Sequence, residues 1–309
     1  MLGVLGPMLP SYAQDRATLL RIIVPFNAGS GADAAARALG NALTEAAGLT
    51  VIVENRAGGA TVIGSQEVAR AAADGNTILY TTGGHTTNAV LMKKLPYDSL
   101  NGFTPLAMLT RTPGWVLVVG PNSRFKTLKQ FLDAAKKDPG KLTFGSSGVG
   151  GSSHVMGSLF CKAANIDLTH VPYKGTPFTD LFAGVIDSSF QGSGTVMQYL
   201  KDGRLRALGI SSAKRVAQLP DVPTFGEFGI NADLPAWSGI FGPPNLPPAV
   251  VQRLSESLHK AQQVPSYVKF VTDNGSEVVN MGPQQFRTYV AEEIAQYRRT
   301  LPPLGIHIE

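Results

Sequence analysis

Along this chain, apolar runs of four to seven residues end in Gly/Ser turns. Most of them lead into longer segments whose apolar positions fall three and four apart. A continuous or alternating apolar run reads as a strand and a 3.6-residue period as a helix, so the chain reads as strands alternating with helices. The pattern predicts strands at 19–24, 50–54, 77–81, 116–119, 142–145, 168–171, 188–191 and 205–211. It predicts helices at 32–47, 65–72, 128–136, 152–164, 178–183 and 196–200. Two proline-rich stretches, 220–223 and 235–248, break the alternation, and only helices are expected beyond them, at 248–262, 266–274 and 283–301.

This order predicts an α/β fold with mostly parallel sheets flanked by helices. A C-terminal run of helices without strands of its own has to pack on something already built. A second domain inserted into the first explains it, with crossovers near 116–121 and 237–243. The expected division is 15–118 plus 240–309 as one discontinuous lobe and 119–239 as the other.

In such sheets ligands bind beyond the carboxyl ends of the strands, and four Gly/Ser turns fall there. The first is Pro25-Phe26-Asn27-Ala28-Gly29-Ser30-Gly31-Ala32-Asp33, between a strand and a helix start. Free amides and the positive end of the helix dipole make such a turn an anion site. The others lie at 81–88, 145–154 and 191–195. Gly29-Ser30-Gly31-Ala32-Asp33-Ala34 also fits G-x-G-x-x-A, with Glu54 ending the next strand, so an NAD(P)-dependent oxidoreductase using Gly29-Ser30-Gly31 is the rival reading. Against it, Pro25 to Ala28 separates the strand from the glycines, whereas a pyrophosphate turn follows its strand directly.

Gly145-Ser146-Ser147-Gly148-Val149 lacks the last glycine of a G-x-S-x-G nucleophile elbow. None of His85, His154, His170, His259 and His307 has an orienting acid at a readable spacing. The segment reads instead as a binding loop with hydroxyls from Ser146, Ser147, Ser152 and Ser153. His85 and His154 fall on the predicted rim, Gly83-Gly84 leaves room beside it, and Tyr173-Lys174-Gly175 adds a donor. No set of residues forms a catalytic machine, and no Cys/His cluster or Asp-rich loop has metal-ligand spacing. Neither cofactor nor metal is expected.

Composition narrows the partners. The 309 residues are 43% hydrophobic and 16% charged with 34 Gly and 21 Pro, a globular, turn-rich balance. The net charge of +5 is carried by scattered pairs (Lys93-Lys94, Lys136-Lys137, Arg298-Arg299), not by the basic stripe that nucleic acid requires. Diffuse positive charge favours the arrival of a small anion. One cysteine, Cys161, excludes an intrachain disulfide and reads as a buried thiol. Residues 1–14 read as the remnant of a signal peptide, apolar over 1–9 with small residues Ser11 and Ala13 at a cleavage site. No apolar stretch reaches the 18 or so residues of a spanning helix. An exported monomer in the periplasm is expected.

With these motifs in order, the chain resembles the tripartite tricarboxylate transporter substrate-binding family, the Bug receptors. The resemblance rests on Pro25-Phe26 with Gly29 and Asp33, Glu54-Asn55-Arg56 with Gly58-Gly59, Asp74-Gly75, and Leu95-Pro96-Tyr97-Asp98. It continues through Gly145-Ser146-Ser147-Gly148 with His154, Val171-Pro172-Tyr173-Lys174-Gly175, and Leu219-Pro220-Asp221-Val222-Pro223-Thr224 with Glu227 and Gly229. It implies a two-lobed periplasmic-binding-protein type II fold that closes on a carboxylate and serves a membrane permease or a sensory partner. It places Phe26, Asn27, Gly29, Ser30 and Asn88 on the first lobe's side of the site. Ser147, Gly148, His154 and the turn Gln191-Gly192-Ser193 stand on the second. With the rim residues Gly84, His85, Ser153 and Tyr173 these make up the expected ligand-binding set. Two departures, Ser30 for a glycine and Ala89 for a proline, lean the expectation towards a dicarboxylate larger than a C4 acid, aromatic or medium-chain.

Overall fold

The computed structural model describes residues 19–306; the leader expected at 1–14 and His307 lie outside the described residues. The first segment lays β1 (Leu19–Val24), α1 (Gly31–Ala47), β2 (Thr50–Asn55), α2 (Val62–Ala69), β3 (Thr77–Thr82), α3 (Gly84–Leu91) and β4 (Thr104–Thr112). The chain then builds β5 (Trp115–Val119), α4 (Leu128–Lys137), β6 (Thr143–Ser146), α5 (Ser152–Ala164), β7 (Thr169–Pro172), α6 (Phe178–Ala183), β8 (Ser188–Gly192), α7 (Ser193–Lys201) and β9 (Arg206–Ile210). After a 3-10 turn at Phe225–Phe228 come β10 (Ala236–Gly242), α8 (Pro248–Ala261), α9 (Pro265–Asp273), β11 (Glu277–Met281) and α10 (Pro283–Thr300).

Two sheets result, one of six strands in the order β11-β4-β10-β3-β1-β2 and one of five in the order β7-β6-β8-β5-β9. They are mixed rather than mostly parallel. β1 runs parallel to β2 and β3, and β6 to β7 and β8, but β10 is antiparallel to β3 and β4, β11 to β4, and β5 to β8 and β9. The antiparallel pairings come from strands at the two passages of chain between the sheets, where a helical crossover is not needed. The expected lobe boundaries therefore move. All of β5 belongs to the second sheet and all of β10 to the first, so the first passage is Pro113-Gly114 and the second ends at Pro235.

Local chemistry sets the helix starts. Ser30 caps α1 by accepting the Asp33 amide, and left-handed Gly48 ends it. Thr127 caps α4 in the same way, and α8, α9 and α10 each open on proline. Each sheet carries apolar helices on both faces. Ile22, Val24, Leu39, Leu43, Ile78, Leu254 and Leu258 meet on one face of the first sheet, and Leu117, Phe131, Phe144, Phe160 and Phe190 on one face of the second. α10 belongs to both lobes. Phe286, Val290 and Ile294 pack in the first with Trp237 and Phe241, whereas Tyr297, Leu301 and Ile306 sit in the second lobe's core with Phe131 and Phe160. This corrects the assignment of all of 240–309 to the first lobe.

The passages are tightly joined. Trp115 Nε1 donates to the Leu234 carbonyl at 2.8 Å, and the Trp115 amide donates to Ser211 Oγ at 2.9 Å. A side chain at Gly114 would stand 2.8 Å from the Ser212 nitrogen, so only glycine passes there. Beside them Glu293 of α10, 4% exposed, accepts from Thr86 Oγ1 (2.6 Å), Trp237 Nε1 (3.0 Å) and Tyr289 OH (3.0 Å). Burial pushes its carboxyl above the usual range against those donors.

Candidate functional site

The loops after β1, β3, β6 and β8 lead into α1, α3, α5 and α7, so four helix N-termini stand at the carboxyl ends of strands. The lobes approach each other there. A methyl group on Gly175, just past β7, would lie 4.0 Å from Nδ2 of Asn27, just past β1. Ser193 Oγ, at the start of α7, donates to the Gly275 carbonyl of the first lobe at 3.3 Å.

On the first lobe, the turn after β1 is locked by Asp33. Its carboxylate accepts the Gly29 amide at 2.8 Å and Asn55 Nδ2 at 3.0 Å, and pairs with Arg37 Nε at 3.0 Å. Burial opposes the charge, but the Gly29 amide, Arg37 and Asn55 outweigh it and hold the carboxyl below the usual range. Asn55 Nδ2 also donates to the Phe26 carbonyl at 3.1 Å. The Gly29 amide and the Ser30 hydroxyl are thus occupied inside the turn, while Asn27 remains exposed and Phe26 half-buried. Across from it Gly58, Gly59, Ala60 and Thr61 all have positive φ, 131°, 56°, 52° and 79°. Asn88 holds this loop: its Nδ2 donates to the Ala60 carbonyl at 2.7 Å and to Thr61 Oγ1 at 3.3 Å.

Two expectations for this lobe change. His85 does not reach the rim; its ring is fully buried against Phe103 and Phe241, and Nε2 donates to the Ser99 carbonyl at 2.7 Å. Burial pushes its pKa down to about 4. Only the backbone of Gly84 and His85, in the first turn of α3, lies at the strand end. Glu54 is engaged with Arg21 Nε at 2.6 Å and Arg56 Nη2 at 2.7 Å, in a network that Glu67 completes. The acid that the dinucleotide reading needs for a ribose is therefore already in ion pairs.

On the second lobe the loop after β6 is also bonded from within. The Ser147 amide donates to Ser153 Oγ at 3.0 Å, the Gly148 amide to Ser146 Oγ at 3.1 Å, and the Gly150 amide to His154 Nδ1 at 3.0 Å. Ser147 Oγ, exposed, lies 3.1 Å from Ser153 Oγ. Tyr173 is not a free donor, because its phenol donates to Asp180 at 2.7 Å. Gln191 turns its amide nitrogen inwards to Ser189 Oγ at 2.8 Å, and Gly192 caps α7. Ser193 serves the contact between lobes. Ser146 Oγ lies 2.6 Å from His170 Nε2, yet the serine is fully buried and its oxygen is engaged with Gly148, so the pair is no nucleophile. Burial raises the Cys161 thiol to about 12, which leaves it inert.

Sequence reasoning missed Asp33 and Asn55 as the fasteners of the first turn and His170 beneath the second lobe's loop. Asp33 and Asn55 stood in quoted motifs without a role. Among the described residues, no helix is long and apolar enough to cross a membrane, and no group of three His, Cys, Asp or Glu is placed to hold a metal.

Two lobes on mixed sheets, joined at strand passages and facing each other with helix N-termini, define a solute-binding protein of the periplasmic type. The family model described as "Tripartite tricarboxylate transporter family receptor" matches residues 35–306. The chain belongs to this family, whose members are substrate-binding receptors rather than enzymes. It is 36% identical over 286 residues to the UPF0065 protein in the tcbD–tcbE intergenic region of Pseudomonas sp. strain P51, covering 90% of this chain and 84% of that one. Its fold matches the periplasmic binding protein BugD with a TM-score of 0.87 at 29% identity, over 93% and 98% of the two chains. It matches MatC of Rhodopseudomonas palustris with bound malate at 0.84 and 27%, over 91% and 97%. A further R. palustris protein, with adipate, matches at 0.88 and 27%, over 94% and 98%.

Proposed function

We propose that this protein is an exported, monomeric periplasmic receptor that captures a dicarboxylate between its lobes and delivers it to a tripartite tricarboxylate transporter permease. The observation that carries this reading is the set of helix N-termini of α1, α3, α5 and α7 gathered at strand ends on the facing sides of both lobes. First-turn amides and helix dipoles receive carboxylates without a dedicated cation. Arg37, the base on α1 nearest the first turn, is tied to Asp33. The carboxylates would meet amides at the starts of α1, α3 and α5, the Asn27 side chain and the Ser147 hydroxyl.

Relatives with malate and adipate support the ligand class. Exposed apolar side chains on both lips, Ile63 at 55% and Val149 at 43%, suit a hydrocarbon spacer and favour an adipate-like or aromatic diacid over a hydroxylated C4 acid. Differential affinity for the closed form then drives hinge closure and presents a changed surface to the permease.

A thermal-shift panel of C4 to C8 aliphatic diacids, aromatic diacids, amino acids and NAD(P)H tests the reading. A ligand at 100-fold its Kd adds about 2.7 kcal/mol of stability. Diacid hits recovered unchanged from the mixture are expected. A response to NAD(P)H alone would overturn the proposal.

A further inference from the structure

β6, β7 and α5 bring two imidazoles together beneath the second lobe's ligand loop. The rings of His154 and His170 stack with centroids 3.7 Å apart and planes within 6°. Phe144 lies against both, 4.9 Å from His170 and 6.2 Å from His154. Ser146 Oγ accepts the Gly148 amide and reaches the Gly148 carbonyl, both at 3.1 Å. His170 Nε2 lies 2.6 Å from the same oxygen and bonds it in either tautomer, donating to it as Nε2–H and accepting its proton otherwise. The Gly150 amide donates to His154 Nδ1 at 3.0 Å, so neutral His154 carries its proton on Nε2. That nitrogen has no partner among the described residues.

The loop's shape and the state of His154 are therefore one condition. A proton on Nδ1 would set donor against donor at Gly150, and two imidazolium rings stacked at this distance would repel strongly. Gly148 and Gly150 sit at φ 129° and 75°, where a small loss of anchoring lets the backbone leave its left-handed shape.

We propose that His170 is a positioning residue of the binding site: it stacks on His154, holds Ser146, and thereby fixes the 146–151 loop and the tautomer in which His154 offers its Nε2 proton to a ligand carboxylate. This rests on the carboxylate-receptor reading for the identity of the acceptor, but not for the state of the rings.

The surroundings isolate the pair. β6 brings Phe144 and Ser146, and β8 brings Phe190 behind Phe144. The ionisable groups elsewhere on these elements are the Cys161 thiol and exposed Lys162 on α5. Just past β7 are the Tyr173 phenol, bonded to Asp180, and exposed Lys174. Burial, with the neighbouring His170 for His154, pushes both rings below the ordinary histidine range.

The test uses the full mature chain, adipate as probe, and long-range proton–nitrogen spectra of the histidine rings. In the wild type His154 should remain the neutral Nε2–H form, and adipate affinity should stay level, from pH 8 to about 5. In His170→Ala, His154 should mix tautomers and protonate at higher pH, and adipate affinity should fall about tenfold at neutral pH, one hydrogen bond's worth. His170→Gln, whose amide can still reach Ser146, should recover part of the affinity and covers the case in which the alanine variant fails to fold. Unchanged tautomer, pH profile and affinity in the folded variants would overturn the proposal. If no diacid binds the wild type while the ring spectra respond as stated, the receptor reading fails and the positioning of His154 stands.

Discussion

Asp33 shows what a single carboxylate does at a helix start. It takes the Gly29 amide, one that a ligand would otherwise compete for, and joins that turn to β2 through Asn55. Arg37 is half-exposed, so its ion pair adds little, and the buried hydrogen bonds dominate. Asp33→Ala should cost about 1–3 kcal/mol in urea denaturation. The folded carboxyl titrates below its unfolded value of about 3.9, so its contribution is complete above that pH and is lost as pH falls through the folded value. Wild type should therefore lose stability on acidification more steeply than Asp33→Asn; parallel curves would remove Asp33 from this role. His154 has the same slope by another route. As a base with its pKa pushed down to about 4 by burial, it binds fewer protons folded than unfolded between about pH 6.5 and 4, so stability falls as pH drops through that window. At this scale the sequence showed which residue types gather at the turns but not where their protons go. Tyr173 and Asp180, or Ser193 and Gly275, are pairs that only the folded chain creates.

The element most exposed to strain is the loop that opens α2. Four successive residues at positive φ, two of them not glycine, are held by the side-chain amide of Asn88 together with the backbone amides of Val62, Ile63 and Ser65. Each non-glycine residue there costs about 1–2 kcal/mol. Thr61→Gly should relieve part of that and raise the melting temperature, while Asn88→Ala should lower it and weaken adipate binding by more than its stability loss implies. Calorimetry on both variants checks this; equal effects on binding would mean that Asn88 does not organise the lip. The expected helices and the strands of the two β/α halves were largely legible, since their apolar runs sit between clear turns. β4, β10, β11 and α3 were not. Pro105 interrupts the β4 run, Pro235 and Pro243 bracket β10, and β11 is five residues between Gly275 and Gly282. α3 opens on glycine and two threonines, residues that favour helices weakly. Without β10 and β11 the reading lacked the antiparallel return to the first sheet, and its boundaries slipped into β5 and β10.

For the whole molecule, two strand passages and one helix link the lobes, and the helix constrains them most. α10 lies along the first lobe and seats Leu301, fully buried, in the core of the second. Leu301→Ala should cost about 2–5 kcal/mol, and hydrogen exchange should rise in α5 and the end of α10 ahead of the first sheet. Exchange rising first in β1 to β3 would contradict that placement. The same arrangement has a meaning for how such receptors diversify. The second lobe from Trp115 to Leu234 is one unbroken stretch of chain that finishes its own loop bonding, so recombination can move it between relatives as a cassette. The foreign surface it must fit is small, namely Leu91 of α3, the Gly275 turn that Ser193 meets, and the end of α10 with the residues after it, and a graft that matches Tyr297, Leu301 and Ile306 there keeps its side of the cleft.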